Sequence, residues 1–434
     1  METLPDEVLE VVFSYCSVRD LVSSVQHVCW HWKRVVHTSR LWRDVIYRPD
    51  KVDTDSHIVS MLCGSAVLQA VDFSARIYGQ MVFQALADNC PELKTLLVHV
   101  DQDINYDVLK AIHEKCTKIE QLSPPLSVVS SPEKCQIVGE FINLKILSLV
   151  APLQYPCSIL CLKDIADGCP QLQHLTLLFG GYFTNDLFYT MVKKKDHLHT
   201  IEVSCINFCG MCTLPLLSVC SSLKTLHMHN SCNSESHFKV NSLRKLRALT
   251  SLSWEGFHHE DQMLKIFDNK NLVQLLELTL ISCNAYNDSV TEVIVQNCPL
   301  LQCITLELCS NFSDDSLRLF SSLAYLNTLR IYGNSHITDR GIMSLQQVDQ
   351  LLCLSLGQCK NLTSASLEVV ANLSKLHELR LMLQDLEGLP VDLLATHMKA
   401  LKRLHIINCY NVDILALEWL KSKVPRIRLK LIFL

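Results

Sequence analysis

The residues best suited to chemistry lie between Cys205 and Cys232. Cys205, Cys209 and Cys212 follow one another at spacings of four and three, with Cys220, His227, His229 and Cys232 downstream. Thiolates and imidazoles are the ligands of tetrahedral zinc, and Cys209-x2-Cys212 has the spacing of a ligand pair. A zinc site needs four such groups converging, and no second close pair follows. Cys220 falls on a register position that recurs along the chain, and His227 and His229 flank a position expected to be buried in a strand. Irregular packing of a repeat is therefore the preferred reading, and no metal or cofactor is expected. His258-His259-Glu260-Asp261 mixes ligand types but reads as a solvated loop. Lys193-Lys194-Lys195 reads as a solvated helix end whose cations suit the helix dipole.

Catalytic phrases are missing. The sequence has no G-x-x-x-x-G-K-[ST], G-x-G-x-x-G, H-E-x-x-H or G-x-S-x-G, and 12 Gly in 434 residues leave little for a phosphate-cradling loop. Cys29 invites a nucleophile reading, but between Val28 and Trp32 it reads as part of an apolar helix, where burial raises a thiol pKa. A net charge of −5 gives no general affinity for a phosphate backbone, so nucleic acid is not expected. No apolar run reaches the roughly eighteen residues of a membrane helix. The opening Met1-Glu2-Thr3-Leu4-Pro5-Asp6-Glu7 is acidic where a secretory signal would be basic, then apolar. The closing Leu431-Ile432-Phe433-Leu434 holds no prenylatable Cys. The expectation is a non-catalytic intracellular protein, cytoplasmic or nuclear, free of membrane contact, with its 21 Cys reduced.

The elements that would position these residues are periodic. A phrase L-x-x-L-x-L begins at Leu68, Leu93, Ile119, Leu144, Leu172, Leu198 and Leu223. It returns at Leu249, Leu275, Leu301, Leu326, Leu351, Leu376 and Leu401, and a compressed unit from Val424 to Leu429 is expected to close the array. Within a phrase the apolar residues alternate, as in Leu301, Ile304 and Leu306, which is the signature of a strand with one buried face. The period then becomes helical, as in Ile342, Leu345, Val348, in Leu367, Val370, Leu373, and in Val290, Val293, Ile294. Thirteen residues past the anchor stand Asn185, Ser236, Asp288, Asp314, Asp339 and Ser364, each placed to cap a helix N-terminus. Such strand–turn–helix units bury their apolar faces only by stacking, and the greater width of helices bends the stack with strands inside. Cys90, Cys116, Cys169, Cys220 and Cys298 lie three residues before an anchor. Cys283, Cys309, Cys359 and Cys409 lie eight after, where Asn334 takes the same slot; these are places for a small, readily buried side chain.

The phrase Cys298-Pro299 through Cys309 resembles the cysteine-containing class of leucine-rich repeat, and the resemblance covers residues 67–434, about 14–15 repeats. It implies an α/β solenoid with its parallel sheet on the concave side and helices on the convex side. Residues 1–48 follow another grammar and read as three short helices, with a linker helix at 49–66. Val8, Leu9, Val12 and Phe13 make one apolar face, Leu21, Val25 and Val28 a second, and Trp32, Val35 and Val36 a third. Pro5 suits a first helical turn, and Thr3 to Asp6 offers a capping box. So small a bundle is marginal alone and could serve as a cap for the first strand.

Leu4-Pro5-Asp6-Glu7-Val8-Leu9, then Arg19-Asp20-Leu21, then Val28 to Trp32, then Leu41-Trp42, resemble the F-box. That resemblance implies docking to the Skp adaptor of a cullin–RING ubiquitin ligase. The implied contacts are Leu4, Pro5, Leu9, Leu21, Val28, Cys29, Trp32, Leu41 and Trp42. Cys16 stands where the family usually has Leu, and Trp30 at a site usually polar. The expected role is a substrate receptor of a Skp–cullin–F-box ligase that binds an unidentified protein through its repeat arm. The alternative is a binding or inhibitor scaffold outside ubiquitin chemistry. Outward strand positions offer Glu202, Glu255, Glu277 and Glu307 in the middle repeats. Arg330, Tyr332, Arg380, Arg403 and His405 follow as the candidate substrate site.

Overall fold

The leading residues of the fourteen phrases, Leu68 to Leu401, are all buried, and each stands two residues before a strand. The computed structural model describes residues 4–37, 41–42, 45–151, 159–179, 189, 191–192, 197–205, 220–230, 245–268, 270–348, 350–383 and 389–432. They form two compact units, Met1–Asn207 and Phe208–Leu434. The first holds six strands, from Ala70–Phe73 to Thr200–Cys205, paired in parallel and in chain order. The second holds nine, from Thr225–Asn230 to Arg428–Ile432, paired the same way. Each unit is a layer of strands backed by a layer of helices. Among the described residues no helix is long and apolar enough to cross a membrane.

Register in the last repeat departs from the sequence reading. Leu404 pairs with Leu429 and Ile406 with Leu431, so Val424-x-x-Ile427-x-Leu429 is not one strand phrase. Val424 and Ile427 close the preceding turn, where Ile427 N–H donates to Val424 O at 3.0 Å. Backbone pairing sets the register, and the apolar spacing misled.

Caps differ as well. The helices Asp288–Asn297, Asp314–Phe320, Asp339–Ser344 and Ser364–Ala371 begin on the residues expected to cap them. The true caps stand one residue earlier: Asn287, Ser313, Thr338 and Thr363 each accept a first-turn N–H. The aspartates reach instead into the next repeat. Asp288 accepts from Ser313 N–H at 2.9 Å and from the Ser316 hydroxyl at 2.6 Å. Asp314 accepts from both the N–H and the hydroxyl of Thr338, and Asp339 from both those of Thr363. Each carboxylate therefore fixes the start of its neighbour's helix. Asn185 and Ser236 lie outside the described residues.

The cysteine slots have a hydrogen-bonding reason as well as a steric one. Cys116 Sγ donates to Cys90 O at 3.4 Å and Cys409 Sγ to Leu381 O at 3.3 Å, each reaching the adjacent repeat. Asn334 does the same with Nδ2 on Cys309 O and Phe312 O. Burial pushes the Cys90, Cys116, Cys220 and Cys298 thiols up to about 12, so they stay protonated, as the Cys116 donor must.

At the C-terminal end of successive strands in the second unit, Gly256, Ser282, Leu308, Gly333, Gln358, Leu383 and Asn408 all adopt positive φ. The N–H of each donates to the next strand's last carbonyl at 2.7–3.0 Å. Only Gly and Asn suit this conformation, and other L-residues pay about 1 kcal/mol or more. Replacing the exposed Gln358 by Gly should therefore raise unfolding free energy by about 0.5–1 kcal/mol in urea titration; destabilisation would contradict this account.

Candidate functional site

The head is built from α1 (Asp6–Phe13), α2 (Val18–Ser23) and α3 (Trp30–Val36), with a fourth helix, α4 (Asp55–Cys63), between it and the repeats. Leu9 and Phe13 of α1 turn inward, and the Phe13 ring meets Trp32 edge-on at 5.1 Å. Leu21, Val22, Val35 and Val36 complete the core. Trp42 is 1% exposed and its Nε1–H donates to Val36 O at 2.6 Å. Tyr47 exchanges two backbone bonds of 2.9 Å with Ala70 and Asp72, so the last residues of the head cover the edge of the first strand.

Three short helices cannot bury every apolar residue, and α1 has two apolar faces. Leu4, Val8, Val11, Val12 and Tyr15 step by three and four along its outer side and are exposed, Tyr15 at 87%. Val8 and Val12 thus part company with Leu9 and Phe13, against the single face read from sequence. Val28, expected to join Leu21 and Val25, is 60% exposed, and Trp30 beside it 76%. Among the nine implied contacts, Leu4, Pro5, Val28 and Cys29 are exposed and Trp32 is half-buried. Leu9, Leu21, Leu41 and Trp42 are buried and hold the helices that carry the others.

Two local readings change. Pro5 precedes α1 as its N-cap with no side-chain cap bond. The partner expected for Asp6, Thr3, lies outside the described residues. Asp6 instead takes two bonds of 2.8 Å from Arg34 Nη2 and lies 2.9 Å from His31 Nε2, clamping the start of α1 to α3. Cys29 is not inside an apolar helix: it is the exposed N-cap of α3, and its Sγ accepts Trp32 N–H at 3.4 Å.

The second candidate surface is the outward side of the second unit's sheet. Arg330, Arg380 and His405 fall on one row with Ser355 and Lys430, while Arg403 falls one row earlier beside Glu378, and Tyr332 one row later. Arg380 and Arg403 are brought together by a residue the sequence reading passed over. Glu378 is 5% exposed, takes Arg380 Nε as a close partner and holds Arg403 Nη2 at 2.8 Å. Burial alone would push its carboxyl up, but the two guanidinium groups bring it below the ordinary value. Burial and the Arg380 charge lower the His405 pKa, so the ring is neutral at neutral pH. The middle acids are also engaged: Glu255 lies 2.7 Å from His229 Nδ1, and Glu277 accepts from Ser251 Oγ. Glu260 and Asp261, read as loop, open the helix Glu260–Phe267, where acids suit the helix N-terminus. Cys209, Cys212, Cys232 and Lys193 to Lys195 lie outside the described residues.

A family model described as F-box-like matches residues 1–48. The head is F-box-like, and the repeats of each unit have the leucine-rich-repeat fold. Over 106 residues the chain is 33% identical to F-box/LRR-repeat protein 12 of Bos taurus and of Homo sapiens. The match takes in 22% of this chain and 32% of each relative, so it spans about a third of their length. Among solved structures, a chain of the Rad7–Elc1 complex in yeast superposes with a TM-score of 0.53 at 16% identity, covering 82% of this chain and 89% of that one. A chain of the TLR13–ssRNA13 complex gives 0.51 at 16% identity over 86% and 58%. At such identities these structures show the fold alone. The F-box-like head owes its outer apolar stripe to α1 and its aromatic tip to Trp30, and neither is used by the repeats' own core.

Proposed function

We propose that this chain is a non-catalytic substrate receptor of a Skp–cullin–F-box ubiquitin ligase. The F-box-like head docks the Skp adaptor, and through it the cullin and RING subunits. The carrying observation is the apolar exposure of the head: Leu4, Val8, Val11, Val12 and Tyr15 along α1, and Val28 and Trp30 at the start of α3, all lie exposed. An exposed apolar stripe such as the one from Leu4 to Tyr15 on a small helical bundle marks a protein contact. The receptor raises the effective concentration of a substrate lysine near a charged conjugating enzyme held elsewhere, and needs no active site of its own.

The arm takes the substrate. Its candidate contacts are Arg330, Tyr332, Arg380, Arg403 and His405, on a sheet face that carries cations also at Arg428 and Lys430. Reversing Arg330, Arg380 and Arg403 to Glu should lower substrate capture in proximity labelling at least about tenfold while leaving adaptor binding intact; unchanged capture would remove this face from the reading. The compartment proposed is cytosol or nucleus.

A second reading, a binding scaffold whose head only caps the repeats, is favoured by the pairing of Tyr47 with the first strand. Capping engages the buried side of the head and leaves the outer stripe of α1 free, so both roles fit one molecule. Pull-down of purified Skp adaptor decides: capture that survives in full length and disappears on deletion of residues 1–48 supports the receptor, and none at all leaves the cap.

A further inference from the structure

The strand Cys353–Gly357 differs from its neighbours in what it turns outward. Leu354 and Leu356 face the core, leaving Cys353, Ser355 and Gly357 on the other side. Register sets Arg330 and Arg380 on either side of Ser355, and Tyr332 and Met382 on either side of Gly357. A strand of small outward residues therefore runs between two banks of long ones. At Gly357 the banks close to contact: a Cβ there would meet Tyr332 Cδ1 at 2.7 Å and Met382 Cβ at 2.9 Å.

Small residues alone would be a packing device, but Ser355 adds something packing does not require. It is 0% exposed, and its hydroxyl has no hydrogen-bond partner among the described residues. Buried polar groups are nearly always paired, so this one asks for a group the free chain does not supply. The charges beside it are arranged for an anion. Among the described residues Arg330 ion-pairs with no carboxylate; its Nη1 rests 3.5 Å from Cys303 Sγ, a weak acceptor. Arg380 is held by Glu378, itself shared with Arg403. Glu378 thus fills from within the role an external carboxylate would take on Arg380.

Building on the receptor reading, we propose that Ser355 Oγ and the guanidinium groups of Arg330 and Arg380 form a subsite for a carboxylate on an extended acidic segment of the captured protein, with Glu378 as a built-in competitor for Arg380. Docking requires Arg330 and Arg380 to swing apart and uncover Ser355, and the segment then lies along the strand over it. Arg330 leaves the thiol for one carboxylate oxygen, and the Ser355 hydroxyl donates to the other. Bidentate or shared recognition of this kind is what guanidinium groups do best.

Fluorescence anisotropy with the full chain and three labelled peptides tests this: four repeats of Glu-Gly, of Gln-Gly and of phosphoserine-Gly. The glutamate peptide should bind at least about tenfold tighter than the glutamine peptide. Ser355→Ala should weaken it about fivefold while leaving Tm unchanged or about 2 °C higher, since an unpaired buried hydroxyl is removed. Glu378→Gln should strengthen it about fivefold by releasing Arg380. Equal affinity for the Ser355→Ala protein, or no gain from Glu378→Gln, overturns the subsite. Tight binding of the phosphoserine peptide with no preference for glutamate over glutamine overturns the carboxylate assignment. Peptide binding that behaves as expected in a protein that never captures the Skp adaptor would sink the receptor reading and leave the subsite standing.

Discussion

Serine at Leu4, Val11 and Trp30 together should reduce capture of the Skp adaptor by at least about 100-fold, with Tm within about 2 °C of the parent. The three side chains are exposed in the free chain, so their removal takes nothing from its core. In a complex they would lose that exposure, and an aromatic anchor with two aliphatic side chains carries about 3–4 kcal/mol, which at about 1.4 kcal/mol per decade is a loss of two decades or more. Trp30 should account for at least about a tenfold share. Its ring is steadied before any partner arrives: Arg34 lies over it at 5.6 Å and is itself gripped by Asp6. Less rotamer freedom is then lost on docking. Trp42→Ala is the contrasting control. That ring is sealed in the head and bonded to Val36 O, so capture and the head's stability should fall together by a core-truncation amount of about 3–5 kcal/mol. Surface plasmon resonance beside calorimetry separates the two cases, and full capture by the triple variant would remove the outer stripe from the docking surface.

Asp288→Ala should cost about 3 kcal/mol and divide the unfolding of the second unit into two steps. The carboxylate accepts from Ser313 N–H, Ser313 Oγ, Ser316 N–H and Ser316 Oγ. Charged hydrogen bonds run about 1.5–3 kcal/mol each, but they are not additive and this carboxylate is half-exposed, hence the lower total. A repeat array holds together through neighbour contacts, so weakening one junction loosens the pair it joins. Hydrogen exchange at the Ser313 and Ser316 amides reports the opening directly. The same site gives an acid limb. Burial would raise the Asp288 carboxyl, but its bonds to Ser316 and Ser313 hold it below the ordinary 3.8. A carboxyl lowered on folding stabilises above its unfolded pKa and loses that contribution as pH falls through the folded value. Urea midpoints should therefore drop below about pH 4 in the parent, and less steeply in Asp288→Asn. Identical limbs would assign the acid sensitivity elsewhere.

Sequence alone determined the repeating strand and helix, the buried anchors and the buried cysteines, because each of these is local. Alternation over six residues names a strand face, and a 25-residue recurrence names its neighbour, so Leu301, Ile304 and Leu306 needed no coordinates to be placed inside. The head's three helices and its resemblance were legible for the same reason. Tertiary structure decided which of two apolar faces stays open. Val8 and Val12 look like core by spacing, yet the partners available to α1 cover only Leu9 and Phe13. It decided which repeat an aspartate serves: position marks Asp288 as a cap, while distance gives it to Ser313 and Ser316 across the junction. It also decided that Glu378 gathers Arg380 and Arg403, and that Ser355 is enclosed without a partner. Asp288 with Ser313, and Glu378 with Arg403, are 25 residues apart in sequence and meet only where neighbouring repeats stack. No local pattern carries that information.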